Sequence, residues 1–234
     1  MEKKKLATKG TKGASILLCL LWLTPLLNAQ TNLNQVFAKI DEAAKNFRAV
    51  ECNLERTKVT VLVDDKLVAS GKLYYTRAGS EPRLKVEFGN GKGPDQILLI
   101  DKGKLQLYTP KIKEVQEASL GGHASAVQQF MALGFGQSSQ DLKKNYQISL
   151  GGEETIDGKK TAILDLTPPA PMAGIKAVRM WMDEKNGISV QVKVTETNDD
   201  YTIYKYSNIK MSAGLPDSLF DLKLPKDVHA SKIQ

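Results

Sequence analysis

Through most of this chain apolar and polar residues alternate one by one, the period of a strand with one covered face. From Glu51 on, Cys52 and Leu54 share one parity and Val59, Val61 and Val63 the other. A β-bulge near Thr57-Lys58 would bring both sets to the same side. Residues 68–76 follow, with Leu73 and Tyr75 on one side and Tyr74 on the other. Leu84, Val86 and Phe88 alternate with Lys85 and Glu87 and read as a half-exposed strand. After Pro94 comes the apolar run 97–100, then the turn Asp101-Lys102-Gly103-Lys104. Gly103 there takes a positive φ without steric cost. Leu105 and Leu107 then point one way, Gln106 and Tyr108 the other, until Thr109-Pro110 ends the strand.

The second half repeats the pattern. Residues 147–154 and 159–167 flank an Asp157-Gly158 hairpin turn. Val178, Met180 and Met182 alternate with Arg179 and Trp181, and Asn186-Gly187 turns the chain into Val190, Val192 and Val194. Asn198-Asp199-Asp200 leads to a returning strand over 201–210, and the tail carries Leu219, Phe220, Leu222 and Leu224.

Two stretches carry helical spacing instead. Asn32 caps a helix with Leu33, Val36, Phe37, Ile40, Ala44 and Phe47 on one face. Residues 119–135 place Ala124, Val127, Phe130, Met131 and Gly134 together between glycine pairs. That stretch reads either as a mobile cover or as a plain crossover helix. Ten or eleven strands in hairpin sequence predict one large antiparallel sheet. Such a sheet curls into an incomplete, half-open β-barrel, and the helices are available as a lid over its concave face.

The first 29 residues stand apart. Lys3, Lys4, Lys5, Lys9 and Lys12 precede an apolar run over 16–27, too short to span a bilayer comfortably, and Ala29 offers a cleavage site. The expectation is a signal peptide over 1–29 and a single domain over 30–234; an uncleaved anchor is the competing reading. Of the formal charge of +7, the five lysines and one glutamate of the leader hold +4, leaving +3 for the rest. That removes the case for nucleic acid. Of two cysteines, Cys19 lies in the leader, so the domain keeps Cys52 alone and forms no internal disulfide in the oxidising compartment it enters. A monomer is expected.

No enzyme signature emerges. His123 and His229 are the only histidines and make no metal pair. Cys52 reads as an inert buried thiol. Gly89-Asn90-Gly91-Lys92-Gly93 precedes a strand, not a helix, and fails as a dinucleotide fingerprint. No metal, cofactor or catalytic residue is assigned. An arginine, Arg77, falls where an apolar-lined strand ends. On exposure statistics it reads as a solvated surface residue.

The stretch from Pro94 to Val115 and the ending Leu215-Pro216-Asp217-Ser218-Leu219-Phe220 with Pro225-Lys226 carry a family resemblance. On these residues the chain resembles the outer-membrane lipoprotein carrier protein family (LolA) over nearly its whole length after the leader. The resemblance implies a periplasmic carrier, not an enzyme. Such a carrier takes acylated lipoproteins, or related amphiphilic lipids, from an inner-membrane lipoprotein-releasing ABC transporter to an outer-membrane acceptor. It implies a half-barrel whose acyl-chain cavity is lined by Leu73, Tyr75, Leu84, Val86, Phe88, Leu105, Leu107, Met180 and Met182. The implied lid contains Leu33, Val36, Phe37, Ile40, Val127, Phe130 and Met131. Arg77 matches an arginine that hydrogen-bonds the lid. In the family that arginine is followed directly by proline; here Ala78-Gly79-Ser80-Glu81 intervenes before Pro82, which makes Arg83 a rival. Gln106 stands where the family often has tryptophan. The alternative is a periplasmic sensory or scaffolding module that uses the same half-barrel to bind lipoprotein or protein signals.

Overall fold

The computed structural model describes residues 32–77, 81–89, 93–121, 133–170 and 174–233. The leader and the lid positions Val127, Phe130 and Met131 lie outside them. Twelve strands form one sheet: β1 (Ala49–Thr60), β2 (Asp65–Thr76), β3 (Arg83–Phe88), β4 (Gln96–Asp101), β5 (Lys104–Thr109), β6 (Glu114–Ser119), β7 (Gln147–Ile156), β8 (Lys159–Thr167), β9 (Ile175–Asp183), β10 (Ser189–Glu196), β11 (Tyr201–Ser212) and β12 (His229–Lys232). Among the described residues two α-helices accompany them, α1 (Leu33–Asn46) and α2 (Ser139–Asn145). Among the described residues no helix is long and apolar enough to cross a membrane.

The sheet order is β12-β6-β5-β4-β3-β2-β1-β11-β10-β9-β8-β7. Hairpin meanders run outward on both sides of the central β1–β11 pair, and all pairings are antiparallel except β12 on β6. The two end strands are not joined, so the curved sheet stays an open half-barrel. β12 exceeds the expected strand count; it follows a final proline and carries no apolar alternation, so nothing in its pattern announces it.

Alternation places the core on one face. Cys52, Leu54, Leu73, Tyr75, Leu84, Val86, Phe88, Leu164, Met180, Met182 and Val192 join one cluster with Val36, Phe37 and Ile40 of α1. Asn32 caps that helix by accepting from Gln35 N at 2.9 Å, while Gln35 Oε1 accepts from Asn32 N at 3.1 Å.

Four expectations need correction. The β1 irregularity falls at Cys52 against β11, not at Thr57-Lys58, and β1 pairs with β2 without a break. Val61–Val63 leave the sheet as a 3-10 turn and stay exposed, because Asp200 Oδ1 accepts from Val61 N at 2.9 Å and the chain turns at Asp64 (φ 50°). Strand β3 is covered on both faces. Leu215, Leu219, Phe220 and Leu222 of the tail pack on Tyr74 and Leu99 of the outer face, and Lys85 is buried with Glu87 at 2.8 Å. The helix expected over 119–135 is absent at both ends: Ser119 closes β6 and residues 133–136 form a turn.

Candidate functional site

The inner face of the sheet is apolar from β2 to β5 and again from β8 to β10. Register brings the expected lining together: Leu73 pairs with Val86, Tyr75 with Leu84, and Leu84 with Ile100. Ile100 pairs in turn with Leu105, and Leu98 with Leu107. Met180 and Met182 face inward on β9 beside Leu164 and Ala162. Leu73, Tyr75, Leu84, Val86, Phe88, Met180 and Met182 are buried, whereas Leu105 and Leu107 are half-buried. Gln106 faces outward and donates to Glu117 Oε1 at 2.6 Å, so this polar residue does not enter the concavity.

Over the β9–β10 part of this wall lie α1 and the turn 133–137. Phe47, just past α1, is 1% exposed and stacks on Tyr75 with ring centroids 5.6 Å apart. Phe135 meets Tyr206 edge-on at 4.8 Å. The space left between Ile40, Phe47, Phe135, Leu142, Met180 and Met182 is about 20 Å³, room for about one water molecule. A larger groove of about 480 Å³ runs along the flank of α1 beside Val36 and Met182.

Arg77 ties this cover to the sheet. Its guanidinium donates to the carbonyl of Gly136 and, at 3.1 Å, to the carbonyl of Ala44 in the last turns of α1. It also lies 5.3 Å from the centre of the Phe47 ring. One cation thus holds the helix end and the 133–137 turn to the end of β2, using the planar fork that arginine has and lysine lacks. Gly136 is demanded by the arrangement: its φ is 76°, and a Cβ there would stand 2.5 Å from the Phe47 ring. Arg83 lies elsewhere. It bonds Asp217 at 2.7 Å and covers Phe220 at 4.5 Å on the outer face, where it anchors the tail.

Three participants escaped the sequence reading. The Gly136 and Ala44 carbonyls are backbone groups without a residue signature. Asp41 of α1 accepts from Ser139 N at 2.7 Å and from Ser139 Oγ at 2.8 Å, which joins α1 to the start of α2. Only the Ser138–Asp141 capping box at that helix start was readable from spacing.

Burial sets the electrostatics of the wall. The Cys52 thiol is pushed up to about 12 by burial and, secondarily, by Glu51, which makes it an unreactive neutral group. Tyr75 is likewise pushed up to about 12 by burial, with Arg77 acting in the opposite sense. Burial also raises Tyr204 and Tyr206. Among the described residues no group of three His, Cys, Asp or Glu side chains is placed to hold a metal ion.

A half-barrel with an apolar inner face, covered by a helix and a turn that one arginine ties down, defines a carrier or binding module for apolar ligands. The chain belongs to the outer membrane lipoprotein carrier protein LolA family, which it matches over residues 63–223. No curated protein matches the chain. Among solved structures, an uncharacterized conserved protein from Thermus thermophilus is similar at 9% identity. It covers 86% of this chain and 98% of its own, with a TM-score of 0.54. Lipoprotein LppX from Mycobacterium tuberculosis is 14% identical over 76% of this chain and 96% of its own, with a TM-score of 0.47. The LolA superfamily protein NE2245 from Nitrosomonas europaea is 14% identical over 82% and 98%, with a TM-score of 0.40. At these identities the likenesses speak to the fold alone.

Proposed function

We propose that this protein is a non-enzymatic periplasmic carrier that shelters the acyl chains of lipoproteins, or of a related lipid, against the inner face of its half-barrel. The single observation that carries this reading is the latch of Arg77 on Gly136 and Ala44 over an apolar wall. In this reading residues 1–29 export the chain and are removed. Cargo is received from an inner-membrane ABC transporter and passed to an outer-membrane acceptor.

The energetics suit exchange rather than permanent storage. An acyl chain of about sixteen carbons gains roughly 12 kcal/mol on leaving water. Exposing Val36, Phe37, Ile40 and Phe47 of the cover costs roughly 6–12 kcal/mol on the same scale. The first term offsets the second with a surplus of no more than about 6 kcal/mol, so a latch of charged hydrogen bonds worth roughly 2–3 kcal/mol is large enough to shift the balance between the covered and the loaded state. Between Ile40, Phe47, Met180 and Met182 only about 20 Å³ is free, so a chain that enters there displaces α1 or the 133–137 turn. Aliphatic walls with two methionines accept chains of varied shape.

Native mass spectrometry of protein purified from its own periplasm tests the reading. Adducts with the mass of acylated species are expected; their absence from material prepared in mild detergent and without it would sink the proposal.

A further inference from the structure

One cation on the inner face has no role in the latch. Arg56 of β1 pairs in register with Ala69 of β2 and Tyr204 of β11. It lies two residues beyond Leu54, so its side chain shares the apolar face. Its guanidinium sits 4.4 Å over the centre of the Phe88 ring, and it has no hydrogen bond or ion pair among the described residues. Phe88 itself is buried in the core cluster. Five N–H donors are therefore held at the edge of an apolar wall with the ring at their back, near the Tyr204 hydroxyl, and without a carboxylate or carbonyl partner among the described residues.

The surroundings are only partly covered by the described residues. Ala69, Leu98, Leu105, Leu107 and Tyr204, on the same face, are half-buried, unlike the Met180–Met182 region under α1. The face continues outward through Lys58, which pairs with Leu67; both are exposed. Two carboxylates lie in the neighbourhood. Asp65 shares the parity of Leu67 and is exposed; the Tyr204 hydroxyl is raised by burial, with Arg56 acting in the opposite sense and Glu196 adding to the rise, so Glu196 is also near. Neither is paired with Arg56. Two cations on the apolar face, at the end of the wall away from the latch, suit a ligand with a chain at one end and an anion at the other.

We infer that Arg56, supported by Lys58, binds the anionic headgroup of an amphiphile whose acyl chain lies along Phe88 and the β2–β5 wall. This rests on the carrier reading and adds headgroup charge as a selection rule. A phosphate monoester, like a carboxylate, is a group that a guanidinium fork grips with two parallel hydrogen bonds.

The test is titration calorimetry with dodecyl phosphate, 1-monolauroylglycerol and inorganic phosphate, on the wild-type protein, Arg56→Gln and Lys193→Gln. Lys193 is an outer-face cation over Tyr201 and serves as the control. The wild type is expected to prefer dodecyl phosphate over the neutral glyceride about tenfold, as charge-assisted hydrogen bonds imply. Arg56→Gln should bring that ratio to about one, Lys193→Gln should keep it, and inorganic phosphate alone should not bind at millimolar levels. Equal affinity for both amphiphiles in the wild type overturns the headgroup assignment and leaves the carrier reading standing. A preference that survives Arg56→Gln removes Arg56 from the role. Phosphate binding as tight as dodecyl phosphate makes the site a free-anion site instead. Binding of neither amphiphile overturns the carrier reading and this inference with it. Unchanged thermal unfolding of Arg56→Gln would show that a lost preference is not lost folding.

Discussion

Arg77 and Gly136, fifty-nine residues apart, meet in a hydrogen bond from guanidinium to carbonyl that joins the end of β2 to the turn over the inner face. The same guanidinium reaches Ala44 at 3.1 Å. Arg77→Leu removes both bonds and keeps most of the side chain's apolar bulk. Hydrogen exchange at residues 133–137 and in the last turn of α1 should rise by about ten- to a hundredfold, the equivalent of roughly 1.5–3 kcal/mol. Exchange in β8–β10 should hold. Arg77→Lys should fall between, since an ammonium cannot reproduce the fork. Unchanged exchange in Arg77→Leu would remove the latch.

Gly136 and Gly158 share a φ of 76°, but only the first has a neighbour where a Cβ would stand: the Phe47 ring at 2.5 Å. Gly158→Ala should therefore cost only the backbone term of about 1–2 kcal/mol. Gly136→Ala should cost at least about 1 kcal/mol more, since Phe47 is packed on Tyr75 and cannot yield freely. Urea unfolding midpoints of the two variants make the comparison; equal losses would mean that the turn is not pressed on Phe47.

Arg83 has a separate assignment. Arg83→Leu removes the Asp217 contact and the cation over Phe220, and it should speed proteolysis within residues 213–228 while leaving exchange at 133–137 as in the wild type. The opposite pattern would return the latch role to Arg83.

The buried thiol and phenols predict alkaline instability. Cys52 and Tyr75 have folded values of about 12, above ordinary values of 9.0 and 10.0. A raised folded value means that the unfolded chain releases its protons first. The stabilisation is complete below about pH 9 and is lost as pH rises through 12, by an amount on the order of a few kcal/mol. Urea midpoints measured from pH 8 to pH 11.5 should fall steadily, and a disulfide reagent at pH 8 should label Cys52 only as fast as the protein opens. Rapid labelling of the native protein would contradict its burial.

Much of this was legible beforehand, and for definite reasons. Val178, Met180 and Met182 kept strict alternation between two turn signals, so β9 and its inward face could be read directly. Leu84, Val86 and Phe88 were equally plain, but the outer face of β3 is covered by a tail 130 or so residues downstream, which no local pattern around Lys85 and Glu87 reveals. Val61 and Val63 looked inward because periodicity cannot see Asp200 taking the Val61 N–H and turning the chain. The latch was half legible: family resemblance pointed to Arg77, whereas its acceptors are main-chain carbonyls that any residue would offer. Asp41 carries no local signal, because its partner Ser139 lies 98 residues downstream.

The central claim is that acyl chains lie on the inner face. Met180 and Trp181 are adjacent on β9 and face opposite sides: the first is in the core cluster under α1, the second is in the outer cluster with Ile163. A photoactivatable fatty-acyl probe, cross-linked to the native protein and mapped by peptide mass spectrometry, separates the two faces. The account predicts labels on Met180, Leu84, Val86 and Leu107, with Trp181 and Ile163 unlabelled and total labelling competed away by acylated lipoprotein. Labels confined to the outer face, or none that acylated lipoprotein competes, would contradict it.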